Sequence, residues 1–175
     1  MLHGDRVALR PFELDDVARL QVWFDDPGVR LGWDDEEATR SRADLEREMR
    51  PAITGEDHET HWFVIQEGDA PVGALHLHLD EHHHNAEIDI LVGEAEARDR
   101  GLGSDAIETI MRYVFDELAC HRLWLITSAN NPRAIRCYEK CGLQREGVLR
   151  EAGFQAGVHV DGIIMSILDR EWRQR

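Results

Sequence analysis

Polar and apolar residues alternate along several short stretches of the chain, which is the pattern of half-buried β-strands. In the stretch 86–92 it places Glu87 and Asp89 on one face and Ile88 and Ile90 on the other. A buried apolar run at 122–127 is typical of an interior strand. The pattern predicts strands at 6–10, 61–66, 71–79, 86–92, 122–127, 143–151 and 157–168.

Apolar residues at helical spacing predict four helices between these strands. The first opens at Asp15 and Asp16 and ends at the breaker residues 26–28. The others are expected at 36–49, 101–118 and 132–141, and the polar segment 51–60 is predicted as a loop. This order indicates an α+β fold with a mixed sheet. Because no linker interrupts it, we expect one domain over residues 1–175.

The charge of the chain is strongly acidic and unevenly distributed. The 175 residues hold 20 basic and 35 acidic side chains, for a net charge of −15, whereas residues 101–175 hold ten of each. A duplex nucleic-acid binder usually has a basic surface, so this balance argues against nucleic acid as a partner. Two interpretations of the asymmetry stay open. It either supports solubility alone, or the first 100 residues attract a cation while the rest tolerates an anion.

Several protein classes do not fit the sequence. No apolar run approaches the roughly 18–20 residues of a membrane-spanning helix, so no membrane partner is expected. The first residues lack the basic and apolar regions of a secretion signal, so a cytoplasmic location is expected. The three cysteines form neither a disulfide framework nor a CxxC zinc pair.

The segment 98–104, Arg-Asp-Arg-Gly-Leu-Gly-Ser, lies between a predicted strand and a long predicted helix. Gly101 and Gly103 let consecutive backbone N–H groups face one concavity, and the helix start adds positive potential. Arg98 and Arg100 can donate to phosphate oxygens. The segment therefore predicts a pyrophosphate site, although a glycine-rich loop that only starts a helix gives the same pattern.

Two other phosphate motifs do not match. A GxGxxG dinucleotide motif starting at Gly101 has Ala106 at its third position and lies too far from the preceding strand for a tight turn. GxxxxGK[ST] is absent, and Lys140 is the one lysine in the chain. A P-loop nucleotide hydrolase is thereby excluded, and a dinucleotide enzyme is disfavoured.

A second block follows the next strand. Asn131 precedes a short helix that Pro132 opens and Gly142 ends, and Tyr138 lies seven residues after Asn131. The pairing of RxxGxG with NxxAxxxYxKxG about 30 residues later resembles acyl-CoA-dependent N-acetyltransferases of the GNAT superfamily. The similarity is to the branch of ribosomal-protein N-terminal and spermidine acetyltransferases, and it covers nearly the whole chain.

The resemblance implies a strongly twisted, largely antiparallel sheet flanked by helices, with acetyl-CoA in a gap between the strands 86–92 and 122–128. It implies that backbone groups of Leu91 and Val92 pair with the pantetheine arm, that Asn131 contacts this arm, and that Tyr138 lies near the thioester sulfur. Leu143 departs from the family's usual phenylalanine. A homodimer is a family expectation. The residues that match the pyrophosphate loop are Arg98, Arg100, Gly101, Leu102, Gly103 and Ser104.

The chemistry of acetyl transfer assigns further roles. An alkyl ammonium, with a reference pKa of about 10.4, must lose a proton before it attacks a thioester. Glu87 and Asp89 are the candidate bases, and we prefer Glu87. A backbone N–H near Leu91 or Val92 can stabilise the oxyanion. A phenol and a thiol have reference pKa values of about 10 and 8.5, so Tyr138 can protonate the leaving thiolate at small cost.

Other reactive side chains leave alternatives. Cys137 and Cys141 share a helical face, but neither has a paired histidine, so small buried thiols are favoured over an acyl-enzyme. The ten histidines show no HExxH spacing, and we expect no metal. His76 or His78 could touch substrate. The tryptophans that could wall the acceptor site, or pack in the core, are Trp23, Trp33 and Trp62.

The sequence thus predicts an N-acetyltransferase that moves an acetyl group from acetyl-CoA to a primary amine. The acidic first 100 residues favour a cationic acceptor, which could be a polyamine, an aminoglycoside or a basic protein N-terminus. The alternative is a non-catalytic acyl-CoA sensor or partner-binding module on the same fold.

Overall fold

The computed structural model describes residues 1–29 and 41–175, and these contain eight strands of one sheet. The order across the sheet is β1-β2-β3-β4-β5-β6-β8-β7. The strands are β1 (Leu2–His3), β2 (Ala8–Pro11), β3 (Thr60–Glu67), β4 (Ala70–Asp80), β5 (Asn85–Val92), β6 (Arg122–Ser128), β7 (Gln144–Gln155) and β8 (Val158–Leu168).

Every neighbouring pair of strands is antiparallel except β5 and β6, which run parallel. Their pairing covers three positions, from Asn85 opposite Arg122 to Glu87 opposite Trp124. Beyond these residues the two strands separate. The expected mixed, largely antiparallel sheet with a gap between these two strands is therefore confirmed.

The helices are α1 (Val17–Asp25), α2 (Arg42–Thr54), α3 (Leu102–Arg112), α4 (Pro132–Lys140) and the short α5 (Asp169–Trp172). A short 3-10 turn at Leu14–Asp16 precedes α1, and another at Ala95–Ala97 precedes the segment 98–104, which we call the glycine loop. No helix of the described residues is long and apolar enough to cross a membrane.

Two helix predictions need correction. The predicted loop 51–60 is wrong at its start, because α2 continues through Pro51 to Thr54. Gly55 caps the helix with a φ of 78°, which favours glycine. The first residues of the predicted helix 36–49 lie outside the described residues. The predicted helix 101–118 is α-helical only to Arg112, and a π-helical turn at Tyr113–Glu117 completes it.

Each face of the sheet has its own apolar core. On one face, α3 and α4 pack over alternate strand residues such as Leu75, Ile88 and Leu125. On the other face, α1 and α2 pack over the intervening positions, such as Ala74 and Leu91. Because strand side chains alternate, β5 contributes to both cores.

The N-terminal segment is held against α3 by one carboxylate. Asp105 accepts hydrogen bonds from the backbone N–H groups of Asp5, Arg6 and Val7, at 3.1, 2.8 and 2.8 Å. This attachment fixes the start of α3, and with it the glycine loop, relative to the edge of the sheet.

Candidate active site

A cleft of about 400 Å³ opens where β5 and β6 separate, on the side of α3 and α4. Its walls come from the end of β5, the glycine loop, the first turns of α3 and one face of α4. The lining residues are Gly28, Val29, Ile90, Leu91, Val92, Ala97, Arg98, Asp99, Gly101, Leu102, Gly103, Ser104, Ile107, Asn131, Arg133, Ala134, Arg136, Cys137, Tyr138 and Lys140.

The glycine loop forms the start of α3 as the sequence predicts. Gly101 caps the helix with a φ of 84°, a backbone conformation that residues with a side chain rarely adopt. The first N–H groups of an α-helix have no partner within the helix, so those of the first turn are available to an anion. Gly103 lines the cleft, and a Cβ there would meet the Val92 side chain at an ordinary 3.5 Å.

The two loop arginines are engaged with the protein. Arg98 lines the cleft, but its guanidinium donates to Asp26 Oδ2 at 2.7 Å, to the Gly93 carbonyl at 2.8 Å and to the Val92 carbonyl at 3.1 Å. Arg100 pairs with Glu67 at 2.7 Å and is not among the cleft residues. Arg98 thus links Asp26 to the end of β5. The structure does not bring Arg100 to the cleft.

The other residues expected at the cofactor lie on the cleft. Leu91 and Val92 end β5 there, although Arg98 already occupies the Val92 carbonyl. Asn131 caps α4, because its Oδ1 accepts from the Ala134 N–H at 3.1 Å. The Ser104 hydroxyl lies 3.1 Å from Cys137 Sγ. Their roles toward a cofactor stay predictions.

Tyr138 lies at the inner wall of the cleft and is 8% exposed. Burial raises the pKa of its phenol above the ordinary value, and negative charge at Cys137 and Asp89 raises this pKa further. The phenol therefore stays protonated and can donate. Passing its proton to a thiolate, however, costs more than the reference pKa values indicate.

The predicted site residues do not include three cationic side chains that lie along one side of α4. Arg133, Arg136 and Lys140 all line the cleft. Their spacing of three and four residues puts them on one side of the helix, and this spacing was the available signal. Arg133 pairs with Asp99 at 2.8 Å, but both side chains are well exposed and the pair is easily opened.

We call the point where β5 and β6 separate the fork. On the opposite face of the sheet, polar and aromatic side chains lie across the strands at this fork. We call this set the acidic face. Trp62, His76 and Asp89 are neighbours on β3, β4 and β5, and His78, Glu87 and Trp124 are neighbours on β4, β5 and β6. These six residues define the face.

The side chains of the acidic face contact one another. His76 Nδ1 lies 3.3 Å from Asp89 Oδ2, and the His76 ring lies 4.7 Å from the Trp62 ring, centroid to centroid. Burial raises the pKa of Glu87 above its usual value, and the like charge of Asp89 raises it further. A carboxylate with a raised pKa is a better proton acceptor than a solvated one.

The predicted tryptophans have different fates. Trp23 is 3% exposed and packs in the core, where its Nε1 donates to Glu94 at 2.9 Å. Trp62 is half-buried on the acidic face, and Trp33 lies outside the described residues. The sequence analysis did not identify Trp124. Its position between the buried residues Leu123 and Leu125 places its side chain on the opposite face of the sheet from theirs.

The cysteines also differ from one another. Cys120 and Cys141 are buried, as expected for small apolar residues. Cys137 is partly exposed on the cleft. Hydrogen bonding from Cys141 lowers the pKa of Cys137, and Ser104, Lys140 and Arg133 lower it further against the effect of burial. Of the two thiols expected to be small and buried, Cys141 is buried and Cys137 is partly exposed.

A cleft at a parallel fork, with a glycine loop and a buried tyrosine on its walls, agrees with the predicted family. The family model described as an acetyltransferase (GNAT) domain matches residues 6–144. The chain belongs to the GNAT acetyltransferase family. It is an N-acetyltransferase, and its acyl donor is acetyl-CoA.

Curated relatives span most of the chain. Aminoglycoside N(6')-acetyltransferase type 1 of Klebsiella pneumoniae is 26% identical over 157 residues, covering 83% of this chain and 78% of the relative. Spermidine N(1)-acetyltransferase of Vibrio cholerae is 27% identical over 174 residues, 98% of each chain.

Solved structures show the same fold. The Vibrio cholerae spermidine N-acetyltransferase in complex with CoA and spermine has a TM-score of 0.89 at 26% identity, covering 97% of this chain and 99% of that one. Another structure of that enzyme, in an intermediate state, is dodecameric and has a TM-score of 0.81 at 26% identity, with 97% of each chain covered. The oligomeric state of the present chain stays a prediction.

The histidines and acidic residues do not converge on a metal centre in the described part of the chain. Within residues 1–29 and 41–175, no three His, Cys, Asp or Glu side chains are grouped to hold a metal ion. His83 instead pairs with Asp80 at 2.7 Å in the turn after β4.

Proposed function

We propose that this protein acetylates a primary amine of a polycationic small molecule, such as a polyamine or an aminoglycoside, by direct attack of the amine on acetyl-CoA. The observation that carries the proposal is the position of the acidic face. Two carboxylates and two aromatic rings lie at the fork whose other side is the cofactor cleft.

The acidic face has the chemistry of a cation site. Glu87 and Asp89 are two residues apart on one side of β5, so their negative potentials add. Trp62 and Trp124 border them, and the faces of indole rings attract ammonium groups. A basic protein N-terminus has the same charge and remains an acceptor to be tested.

We assign the proton-accepting role to Glu87. Its pKa is raised by burial and by Asp89, so it holds a proton better than a solvated carboxylate at neutral pH. It can take the proton of the ammonium directly or through a water molecule. The neutral amine then attacks the thioester carbonyl, and a C–N bond forms.

The tetrahedral intermediate must lose a thiolate. A backbone N–H at the end of β5, near Leu91 or Val92, is the proposed oxyanion donor. As the C–S bond breaks, the attacking nitrogen releases its excess proton to solvent and the amide forms. Tyr138 gives its phenolic proton to the sulfur and regains one from solvent. The raised pKa of Tyr138 keeps this proton in place until the thiolate forms.

The phosphates of the donor are assigned to the other side of the fork. Backbone N–H groups of Leu102, Gly103 and Ser104 face the diphosphate at the start of α3. The cations of α4 lie on the same cleft, and their charges complement the remaining phosphate oxygens. Asn131 is proposed to contact the pantetheine arm.

A panel of acceptors with acetyl-CoA, followed by release of free thiol, tests the function. The panel contains a linear triamine, an aminoglycoside, a basic N-terminal peptide, and a monoamine of similar pKa that carries no second charged group. We expect kcat/KM for the triamine or aminoglycoside to exceed that for the monoamine by about tenfold or more and to fall with added salt.

Two outcomes contradict the proposal. Equal rates for all four amines at low salt would remove the acidic face from acceptor selection. Binding of acetyl-CoA without thiol release for any amine would favour the acyl-CoA sensor. Glu87→Gln removes the proposed base, and Asp69→Asn, which removes an exposed carboxylate in the turn between β3 and β4, is its matched control.

A further inference from the structure

Three side chains form a polar cluster in the wall of the cleft, which we call the thiol cluster: Ser104, Cys137 and Cys141. Cys137 Sγ lies 3.1 Å from Ser104 Oγ, and Cys141 Sγ lies 3.7 Å from the Ser104 carbonyl oxygen. Of the two thiols, Cys137 borders the cleft, whereas Cys141 is 1% exposed. A molecule in the cleft therefore meets one sulfur atom of the cluster.

The surroundings of Cys137 favour its thiolate. The Ser104 hydroxyl lies within hydrogen-bond distance of this sulfur, and the neighbouring Cys141 thiol and the positive charges of Lys140 and Arg133 also lower its pKa. The thiolate is the nucleophilic form of cysteine. Tyr138, the neighbouring phenol, is neutral because its pKa is raised, so it adds no opposing charge.

The pKa of Cys141 shifts in the opposite direction from that of Cys137. Its hydrogen bond with Cys137, together with burial, raises the pKa of its thiol. Cys141 therefore stays protonated and is a poor attacking group. After Cys137 has reacted, burial still raises the pKa of the Cys141 thiol, so this neighbour resolves a disulfide at Cys137 poorly and the disulfide persists until an external thiol reduces it.

We propose that Cys137 is a thiol–disulfide exchange site that reacts with the disulfide form of CoA and thereby closes the cleft to acetyl-CoA. The proposal rests on the use of this cleft by acetyl-CoA. The disulfide carries the same diphosphate and adenosine phosphate groups as the donor, so the glycine loop and the α4 cations would hold it in the cleft that Cys137 borders.

The reaction balances without a further oxidant. The Cys137 thiolate attacks one sulfur of the symmetric disulfide, and a protein–CoA S–S bond forms as the original S–S bond breaks. The other CoA leaves as a thiolate and takes a proton from water. One protein thiol and one disulfide become one mixed disulfide and one free thiol.

Intact-mass analysis of the protein after incubation with CoA disulfide tests the proposal. We expect a single adduct of one CoA, formed at least about ten times faster than the adduct with glutathione disulfide at equal concentration. Desulfo-CoA should slow the reaction, and dithiothreitol should reverse it. Cys137→Ser should take up no CoA, whereas Cys120→Ser should react like the wild type.

Contrary results are clear in the same assay. An adduct on Cys137→Ser, an equal rate with glutathione disulfide, or no protection by desulfo-CoA would each overturn the proposal. The stabilisation of the unmodified protein by acetyl-CoA in a thermal-shift measurement separates the two claims. If acetyl-CoA stabilises the protein and CoA disulfide does not react, the exchange site is wrong and the cofactor site stands.

The pH dependence of alkylation by iodoacetamide gives a second readout of the cluster. Cys141→Ala removes the neighbouring thiol that lowers the pKa of Cys137, so the midpoint for alkylation of Cys137 should move to higher pH. Lys140→Gln alters an exposed side chain and should move the midpoint in the same direction, which serves if the buried substitution impairs folding. An unchanged midpoint in a folded variant contradicts the role of the cluster.

Discussion

The two sides of the β5–β6 fork are opposite in charge although they share the same strands. On the cleft side, Arg133, Arg136 and Lys140 provide positive charge, and on the acidic face Glu87 and Asp89 provide negative charge. The sheet keeps these charges apart, because adjacent residues of a strand point to opposite faces. An anionic donor and a cationic acceptor can thus approach one fork from two sides without competing.

Specific interactions link the two sides. Negative charge at Asp89 raises the pKa of Tyr138, which lies on the cleft. Arg98 joins Asp26, just after α1, to the end of β5. The following substitutions act on one side, or on one of these links, and their effects are given from the largest to the smallest.

Gly103→Val should disrupt the cleft side alone. Its Cβ has ordinary space beside Val92, so the fold should survive, while the branched side chain would fill the space before the first-turn N–H groups. We expect acetyl-CoA affinity to fall by about two orders of magnitude, which corresponds to about 3 kcal/mol. Isothermal titration with acetyl-CoA measures this loss.

A matched control for that substitution is Gly147→Val. A Cβ at Gly147 meets nothing within 4 Å, and the residue lies on β7, outside the cleft. This variant should keep its affinity. Normal affinity in folded Gly103→Val would instead refute the placement of the diphosphate at the glycine loop.

Tyr138→Phe should separate chemistry from binding. Loss of a general acid typically lowers the rate about 10²–10⁴-fold, and the phenyl ring preserves the packing of this buried residue. We expect kcat to fall by that factor while the Kd for acetyl-CoA changes by less than about threefold. Single-turnover thiol release and titration measure the two quantities, and wild-type kcat would remove Tyr138 from the mechanism.

Glu87→Gln and Asp89→Asn should change the pH profile on the acidic face. A base with a raised pKa is active only above that pKa, so kcat/KM of the wild type should rise with pH through a value above the ordinary 4.5. Glu87→Gln should lower kcat/KM about 10²-fold or more and abolish this limb.

Asp89→Asn removes the like charge that raises the pKa of Glu87, so the same limb should move to lower pH. A profile that keeps the wild-type limb in Glu87→Gln would show that another group accepts the proton. If the limb disappears in Asp89→Asn instead, the two carboxylates exchange roles in the proposed mechanism.

Asp26→Asn should have the smallest effect, because it weakens a link without removing a binding group. Arg98 lowers the pKa of Asp26, so the pair stabilises the folded state above the unfolded pKa of the carboxyl and this contribution is lost as pH falls through the lowered value. The pair is partly exposed, and its loss should cost less than about 1 kcal/mol at pH 7.

Urea unfolding of Asp26→Asn at pH 7 and at pH 3 measures this difference, which should shrink at the lower pH. The KM for acetyl-CoA should rise a few-fold, since the end of β5 is less firmly held. An unchanged KM would show that the contact between Arg98 and Asp26 stabilises the fold without affecting the binding of acetyl-CoA.

The sequence and the structure agree best where a residue acts through its own backbone. Gly101 and Gly142 adopt positive φ values of 84° and 87°, and both were placed correctly at helix ends because a local conformation depends on local sequence. The positions of β2 to β8 were predicted for the same reason, whereas the two-residue strand β1 was not predicted. The end of α2 was missed because its last turn follows Pro51 and is supported by packing of Ile53 against the second core.

Side-chain roles that depend on distant partners were predicted less well. Arg98 was assigned to phosphate, yet Asp26, 72 residues away in sequence, binds it. Cys137 was expected to be a small buried thiol, yet it is partly exposed and contacts Ser104, which lies on another helix 33 residues earlier. The spacing of residues within one element does not contain this information.

The sequence by itself therefore determined the order of elements, the glycine loop, the tyrosine and the alternation that separates the two faces of β5. These follow from backbone preferences and from the period of each element. The tertiary structure decided which charges face each other across the fork, which cations line the cleft, and which sulfur borders it. Such properties depend on distances between residues far apart in the chain, and those distances are set only when the helices pack on the sheet.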